Sequence, residues 1–290
     1  MPTAPTSNFE KISPTAFLVT HARQYSDIPY TKDLAELVDA QTVADRFIPE
    51  GQERPIHTPI LIEARYKTIN RVLAQFQIRQ IIELASGLLP RGAIATQNPD
   101  ITFVESDLPA IVALKQKLVK QLIGDRSNLH FETIDATHQP SQFPIGANYL
   151  RDDEPVAILC EGLLVYFNFE EKARVFANVR EVLQRYRGVW ITSDLIAKER
   201  RKQLQQNIPA MQQMSQSISS NTGRSLDDNS FDTIEQAKQF AAEQGFRVEE
   251  HSFLEVFDEL ACIKNLGIDR EFAKKVLASG AAFALTLDAG

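Results

Sequence analysis

The chain reads as an α/β fold, a doubly wound and mostly parallel sheet preceded by a helical segment. Three observations predict it. From Gln80 onward, short apolar runs alternate with amphipathic stretches of helical period, the pattern of parallel βα units. The first run, Gln80-Ile-Ile-Glu-Leu84, ends in the small residues Ala85, Ser86 and Gly87, which leave bare backbone for a ligand to lie against. About twenty residues on, Ile101-Thr-Phe-Val-Glu-Ser-Asp107 ends in carboxylates, the spacing at which nucleotide-binding α/β folds hold a ribose.

Taken in order, residues 1–8 read as a loose arm, and Ser13-Pro14 starts a helix that Tyr25-Ser-Asp-Ile-Pro-Tyr30 ends. Helical patterning resumes over Lys32–Asp45 and, after a break at residues 49–59, over Ile60–Phe76 with Ile62, Ile69, Val72 and Leu73 on one side. Strands follow at Gln80–Ala85, Ile101–Glu105, Leu129–Ile134, Val156–Glu161 and Gly188–Asp194. Amphipathic crossover helices lie at Leu108–Ile123 and Asn168–Tyr186. Residues 197–232, rich in Gln, Ser and Asn and carrying Met211 and Met214, read as a helical insertion that folds over the functional edge or else as a surface helix pair. A helix at Thr233–Gln244, a strand at Phe246–Phe253, a helix near Asp269–Ala278 and a strand at Ala281–Leu287 complete seven strands, with an antiparallel edge member expected in the final pair. The expected organisation is a helical segment over residues 1–76 packed on a core over 77–290, as one unit.

The totals exclude some classes of function. A formal net charge of -7 argues against a nucleic-acid surface, and the basic run Lys198-Glu-Arg-Arg-Lys202 reads as a solvated helix face. No apolar run is long enough to span a membrane and the N-terminus lacks a secretion pattern, so a cytoplasmic protein is expected. Cys160 and Cys262 sit in apolar surroundings as inert core thiols, and the five histidines are scattered without metal-ligand spacing.

Only Gly87 and Gly92 stand where a dinucleotide fingerprint shows three glycines, which counts against a nicotinamide or flavin cofactor. S-adenosylmethionine, a nucleoside without phosphate, is easier to accommodate. Asp107 or Glu105 is placed for its ribose, with Asp107 favoured, and Leu108-Pro109 opens the next helix. Asp135, beside Ile134 and Ala136, suits the adenine amino group. Arg65 suits the tail carboxylate, and Glu161 before Gly162 suits the tail ammonium. Tyr166 and Phe167 are candidates to face the sulfonium with their rings.

Three motifs, Glu83-Leu-Ala-Ser-Gly87, Phe103-Val-Glu-Ser-Asp-Leu-Pro109 and Cys160-Glu-Gly-Leu-Leu-Val-Tyr-Phe167, together resemble the leucine carboxyl methyltransferase family, whose bacterial branch includes O-methyltransferases of polyketide-type metabolism. The resemblance covers most of the chain, including Ser13-Pro-Thr-Ala16 and Asp27-Ile-Pro-Tyr30. It implies a class I methyltransferase fold with a helical N-terminal lid and an insertion after the fifth strand. It also implies cofactor contacts at Arg65, Gly87, Asp107, Asp135, Ala136 and Glu161; Glu83, Ala85, Glu105, Leu108 and Gly162, beside them in the same stretches, are further candidate cofactor contacts. Ser86 and Leu88-Leu89-Pro90 depart from the family's Gly-x-Asp-Thr-Arg type of sequence.

Methyl transfer from a sulfonium needs alignment and exclusion of water more than proton transfer. A carboxylate acceptor, of a small molecule or of a protein, requires no base, whereas a hydroxyl acceptor does; His21, Glu161 and Tyr30 are the candidates for that base, and Arg23 the candidate to hold an anionic acceptor. A nicotinamide-dependent oxidoreductase and a non-catalytic S-adenosylmethionine-binding protein are the alternatives on the same fold.

Overall fold

Four helices precede the first strand in the computed structural model, which describes residues 14–47, 55–138, 149–208, 219 and 223–288. They are α1 (Pro14–Arg23), α2 (Thr31–Leu37), α3 (Ala40–Phe47) and α4 (His57–Phe76). The stretch expected as one helix over Lys32–Asp45 is two, because Asp39 takes a left-handed conformation, φ 47°, between α2 and α3. The expected arm over residues 1–8, and Met211 and Met214, lie outside the described residues.

The sheet comprises β1 (Gln80–Leu84), β2 (Thr102–Asp107), β3 (Leu129–Thr133), β4 (Val156–Cys160), β5 (Gly188–Thr192), β6 (Phe246–Ser252) and β7 (Ala281–Leu287), in the order β3-β2-β1-β4-β5-β7-β6. The first five strands are parallel. β7 runs antiparallel to both β5 and β6. The antiparallel member is therefore interior, and the edge strand β6 runs with the first five, which corrects the expectation of an antiparallel edge. The register explains it: β7 pairs along its whole length with β6, from Phe246 with Leu287 to Ser252 with Ala281, and its apolar Ala281-Ala-Phe-Ala-Leu285 suits the buried inner place.

Crossover elements are α5 (Arg91–Ala95), α6 (Pro109–Ile123), α7 (Phe169–Tyr186), α8 (Lys198–Asn207), α9 (Ile234–Glu243), α10 (Ala261–Asn265) and α11 (Arg270–Leu277). Helix α7 starts at a capping box: the Asn168 side chain accepts from the Glu171 amide, and the Glu171 carboxylate accepts from the Asn168 amide. Successive strand residues point to opposite layers. Ile82, Ile158 and Trp190 meet Val175, Phe176 and Val179 of α7 on one side, while Ile81, Leu159 and Ile191 meet Ile60, Ile69 and Val72 of α4 on the other. Both faces are thus covered, as a doubly wound sheet requires. No described helix is long and apolar enough to cross a membrane.

The strand order reverses between β1 and β4. Ligands of open α/β sheets bind outside the carboxyl ends of strands at such a switch point.

Candidate active site

A cavity of about 430 Å³ lies at this switch point, lined by the residues that follow β1, β2, β3, β4 and β5 and roofed by α1 and α4. Its floor is built from small residues, as the end of β1 predicts: Ala85, Ser86 and Gly87 line it. Ala85 takes a left-handed conformation, φ 50°, which costs a non-glycine residue about 1 kcal/mol and turns the chain sharply out of the strand.

Beside this floor, Asp107 ends β2. One of its oxygens accepts from the Gly87 amide at 2.8 Å and the other from its neighbour Leu108 at 2.7 Å. Burial raises its carboxyl above the usual carboxylate value, and these backbone donors oppose that. Leu108 lines the wall beside it. After β3, Asp135 accepts from the Thr137 amide and hydroxyl, at 2.9 and 2.7 Å, and presents Ile134 and Ala136 to the same cavity.

The other end is strongly charged. Glu161, 6% exposed at the end of β4, lies 3.2 Å from Arg65, 3.5 Å from Arg23 and 3.8 Å from Arg91. Burial alone would raise its carboxyl, but Arg65, Arg91 and Arg23 outweigh burial and hold it below the ordinary carboxylate range. Burial lowers the Arg23 guanidinium to about 10, against the pull of Glu161. Arg91 also pairs with Glu83, bonds Asn70 and stacks over the Tyr66 ring, 4.4 Å from its centroid. Three guanidinium groups therefore face two carboxylates. Nε of Arg23, Nε of Arg65 and Oε2 of Glu161 are buried without an aligned hydrogen bond although all three residues line the cavity. The guanidinium groups outnumber the carboxylates that pair with them, so an anionic ligand group suits this end.

Gly162 follows with φ 77°, and a Cβ added there would meet the Arg65 guanidinium at 3.7 Å. The turn it opens is held by Asp194, buried after β5, which accepts from the amides of Gly162, Leu163 and Leu164 at 2.8, 2.7 and 3.0 Å. Tyr166 closes that turn, lines the cavity and donates its hydroxyl to Thr15 of α1 at 3.3 Å.

Several expectations are corrected by this geometry. Glu83 and Glu105 do not line the cavity: both lie within strands, and Arg91 and Lys115 respectively hold their carboxylates in the interior. Tyr30 is absent from the lining as well, its hydroxyl accepting from Gln97 at 3.1 Å, and His21 pairs instead with Gln41. Glu161 lines the cavity, but arginines flank the carboxylate that was expected to meet an ammonium. The run Lys198–Lys202 is not simply a solvated face, since Arg200 and Arg201 line the cavity while paired with Glu250 and Asp227. Both cysteines are free and buried, and burial raises each thiol, so neither is a reactive thiolate. Among the described residues, no group of three or more His, Cys, Asp or Glu side chains is placed to hold a metal.

The sequence model of the leucine carboxyl methyltransferase family matches residues 15–180, more than half of the chain. The chain belongs to that family. A Parafrankia protein named as a candidate S-adenosyl-L-methionine-dependent methyltransferase is 32% identical over 107 residues, 37% of this chain and 34% of that protein. A Mycobacterium ulcerans protein of the same name is 27% identical over 163 residues, 51% of this chain and 49% of the relative. The chain thus spans half or less of the length of these curated relatives. Among solved structures, a candidate methyltransferase from Thermobifida fusca aligns with TM-score 0.60 at 17% identity, covering 98% of this chain and 97% of that one. A domain-of-unknown-function protein from Streptomyces avermitilis aligns with TM-score 0.60 at 15% identity, covering 94% and 97%. At such identities these two structures speak for the fold alone. It is the class I methyltransferase fold, and in this member of the family the matched residues contain α1, α4 and the ends of β1 to β4 that form the cavity.

Proposed function

We propose that this leucine carboxyl methyltransferase family member is an S-adenosylmethionine-dependent O-methyltransferase acting on a small molecule through an oxygen that is ionised on arrival, a carboxylate in the first instance. One observation carries the reading: a cluster of three arginines around Glu161 and an acidic residue at the end of β2 line one cavity with a floor of small residues. The relatives' names support S-adenosylmethionine-dependent methyl transfer and name no acceptor.

The residues fit the cofactor part by part. Arg65 and Arg23 supply a guanidinium pair for its carboxylate, Glu161 holds them in place, and Asp107 offers a carboxylate to the ribose hydroxyls. Ala85 and Gly87 let the ligand lie against backbone, and Asp135 with Ile134 and Ala136 offers a polar group beside an apolar wall. When bound, the cofactor supplies a methyl group on a positively charged sulfur.

What the protein adds is alignment and dryness. Thr15 and Leu18 of α1, Leu61 of α4 and Tyr166 line the cavity, and a bound acceptor that displaces water there strengthens the charge interactions within. Base catalysis is not built in among the expected residues. His21 and Tyr30 lie off the cavity, and Glu161 is held ionised by three arginines and is a poor proton acceptor. Burial raises the Tyr166 phenol, which keeps it neutral. An acceptor already charged near pH 7 needs no proton removed.

Incubating the protein with methyl-labelled S-adenosylmethionine and a small-molecule cell extract, followed by mass spectrometry, tests the proposal. The expected product is a labelled methyl ester that mild alkali cleaves. An alkali-stable labelled ether would move the acceptor to a hydroxyl, and cofactor binding with no labelled product would refute the enzymatic reading.

A further inference from the structure

Among the described residues, the buried side-chain atoms of the cavity lining that lack a hydrogen bond fall in two places. Three of them belong to the Arg23, Arg65 and Glu161 cluster. The fourth is Nε2 of His57.

His57 is the first residue of α4 and is 2% exposed, yet it lines the cavity. Leu61 and Arg65 follow on the same face at four-residue steps, so one stripe of α4 runs along the cavity from His57 through an aliphatic side chain to the arginine cluster. Eight residues of helix separate His57 from Arg65 by about 12 Å. His57 therefore stands one and a half helical turns or more from the arginine cluster. To the same lining α1 and α8 bring the apolar Leu18, Val19 and Leu204 as well as Arg200 and Arg201, whose charges are taken up by Glu250 and Asp227. Burial lowers its imidazole to about 4, so the ring is neutral near pH 7 and Nε2 has no charge to attract a counterion. A buried, neutral ring nitrogen without a hydrogen bond costs roughly what a missing hydrogen bond costs, and a ligand in the cavity that His57 lines can supply the partner.

We propose that His57 is the specificity residue of the acceptor subsite, and that its Nε2 recognises a hydroxyl on an otherwise apolar acceptor, remote from the oxygen that is methylated. A hydroxyl serves either tautomer of the ring, because it both donates and accepts. A second carboxylate does not suit a neutral ring in this apolar setting. This rests on the methyltransferase reading above only for the position of the cofactor; the hydrogen bond itself does not depend on it.

Binding of para-coumarate and of cinnamate, which differ only by a distal hydroxyl, tests the proposal by calorimetry with S-adenosylhomocysteine present and again without it. Wild-type protein is expected to prefer para-coumarate by about tenfold, the worth of one well-made hydrogen bond. His57→Phe should reduce the preference to about twofold or less, and His57→Gln, which keeps a hydrogen-bonding head, should retain most of it. Equal or undetectable binding of the two compounds by the wild type, or an undiminished preference in His57→Phe, overturns the proposal. S-adenosylhomocysteine affinity, measured in all three proteins, should be unchanged. Its absence in the wild type would count against the methyltransferase reading, while the para-coumarate preference without it would still stand or fall on His57.

Discussion

His57 and Glu161 are buried titratable groups of opposite kind, and acid acts on both in the same direction. The folded His57 imidazole titrates near 4 against an ordinary 6.5, so the unfolded chain takes up its proton first as pH falls. Its neutral form contributes stability that is fully present above about pH 6.5 and is lost towards pH 4, by about 3 kcal/mol. His57→Phe should flatten the pH dependence of the denaturation midpoint across that window, and an unchanged slope would contradict the burial of a neutral ring. Glu161 is held below its ordinary 4.5 by its arginines, so its contribution is present above that value and is lost as pH falls through the folded one. Glu161→Gln leaves three guanidinium groups without their shared carboxylate, and should lower stability at pH 7 by about 3 kcal/mol while abolishing S-adenosylhomocysteine binding. Strand-end residues were legible in the sequence because the topology alone puts them at the switch point: Asp107, Glu161 and, through its spacing to β1, Arg65 all line the cavity. The partners of interior carboxylates were not. That Glu83 belongs to Arg91 and Glu105 to Lys115 depends on how α5 and α6 lie against β1 and β2, which no local pattern encodes. His57 carried no local signal either, since a histidine at a helix start is ordinary; its burial comes from tertiary packing.

At the scale of elements, the post-β4 turn is held by one carboxylate. Asp194 collects three backbone amides, and Asp194→Asn would turn a donating amide nitrogen towards at least one of them, at an expected cost of about 2 kcal/mol. Because that turn presents Glu161 and Gly162, S-adenosylhomocysteine affinity should fall in the same variant; full affinity would show that the turn is held by other contacts. The β4–β5 pairing has its own fixed point at Gly188, with φ 115°, where an added Cβ would sit 2.0 Å from the Val156 carbonyl oxygen. Gly188→Ala should cost roughly 3 kcal/mol, read as a lower urea midpoint at unchanged slope. Periodicity revealed these strands to within two residues at each end, since an apolar run bounded by turn residues is a local property. The place of β7 was not legible. Its apolar run announces burial, but only the long connection through α10 and α11 decides that it enters between β5 and β6.

In the whole molecule, one charged locus joins the helical roof to the strand ends of the sheet. Arg23 comes from α1, Arg65 from α4, Arg91 from α5 and Glu161 from the turn after β4, so the elements before the sheet are coupled to the sheet at the site proposed for the cofactor tail. A ligand that completes this cluster should stabilise the whole fold: S-adenosylhomocysteine at one hundred times its dissociation constant is expected to add about 2.7 kcal/mol and raise the melting temperature by several degrees. The most direct test of the account is a calorimetric titration of S-adenosylhomocysteine, and separately of NADH, into wild-type protein and into Asp107→Asn and Arg65→Ala variants. The wild type is expected to bind S-adenosylhomocysteine saturably, each variant at least about tenfold more weakly, and none of them NADH. Saturable NADH binding by a protein that ignores S-adenosylhomocysteine would contradict it.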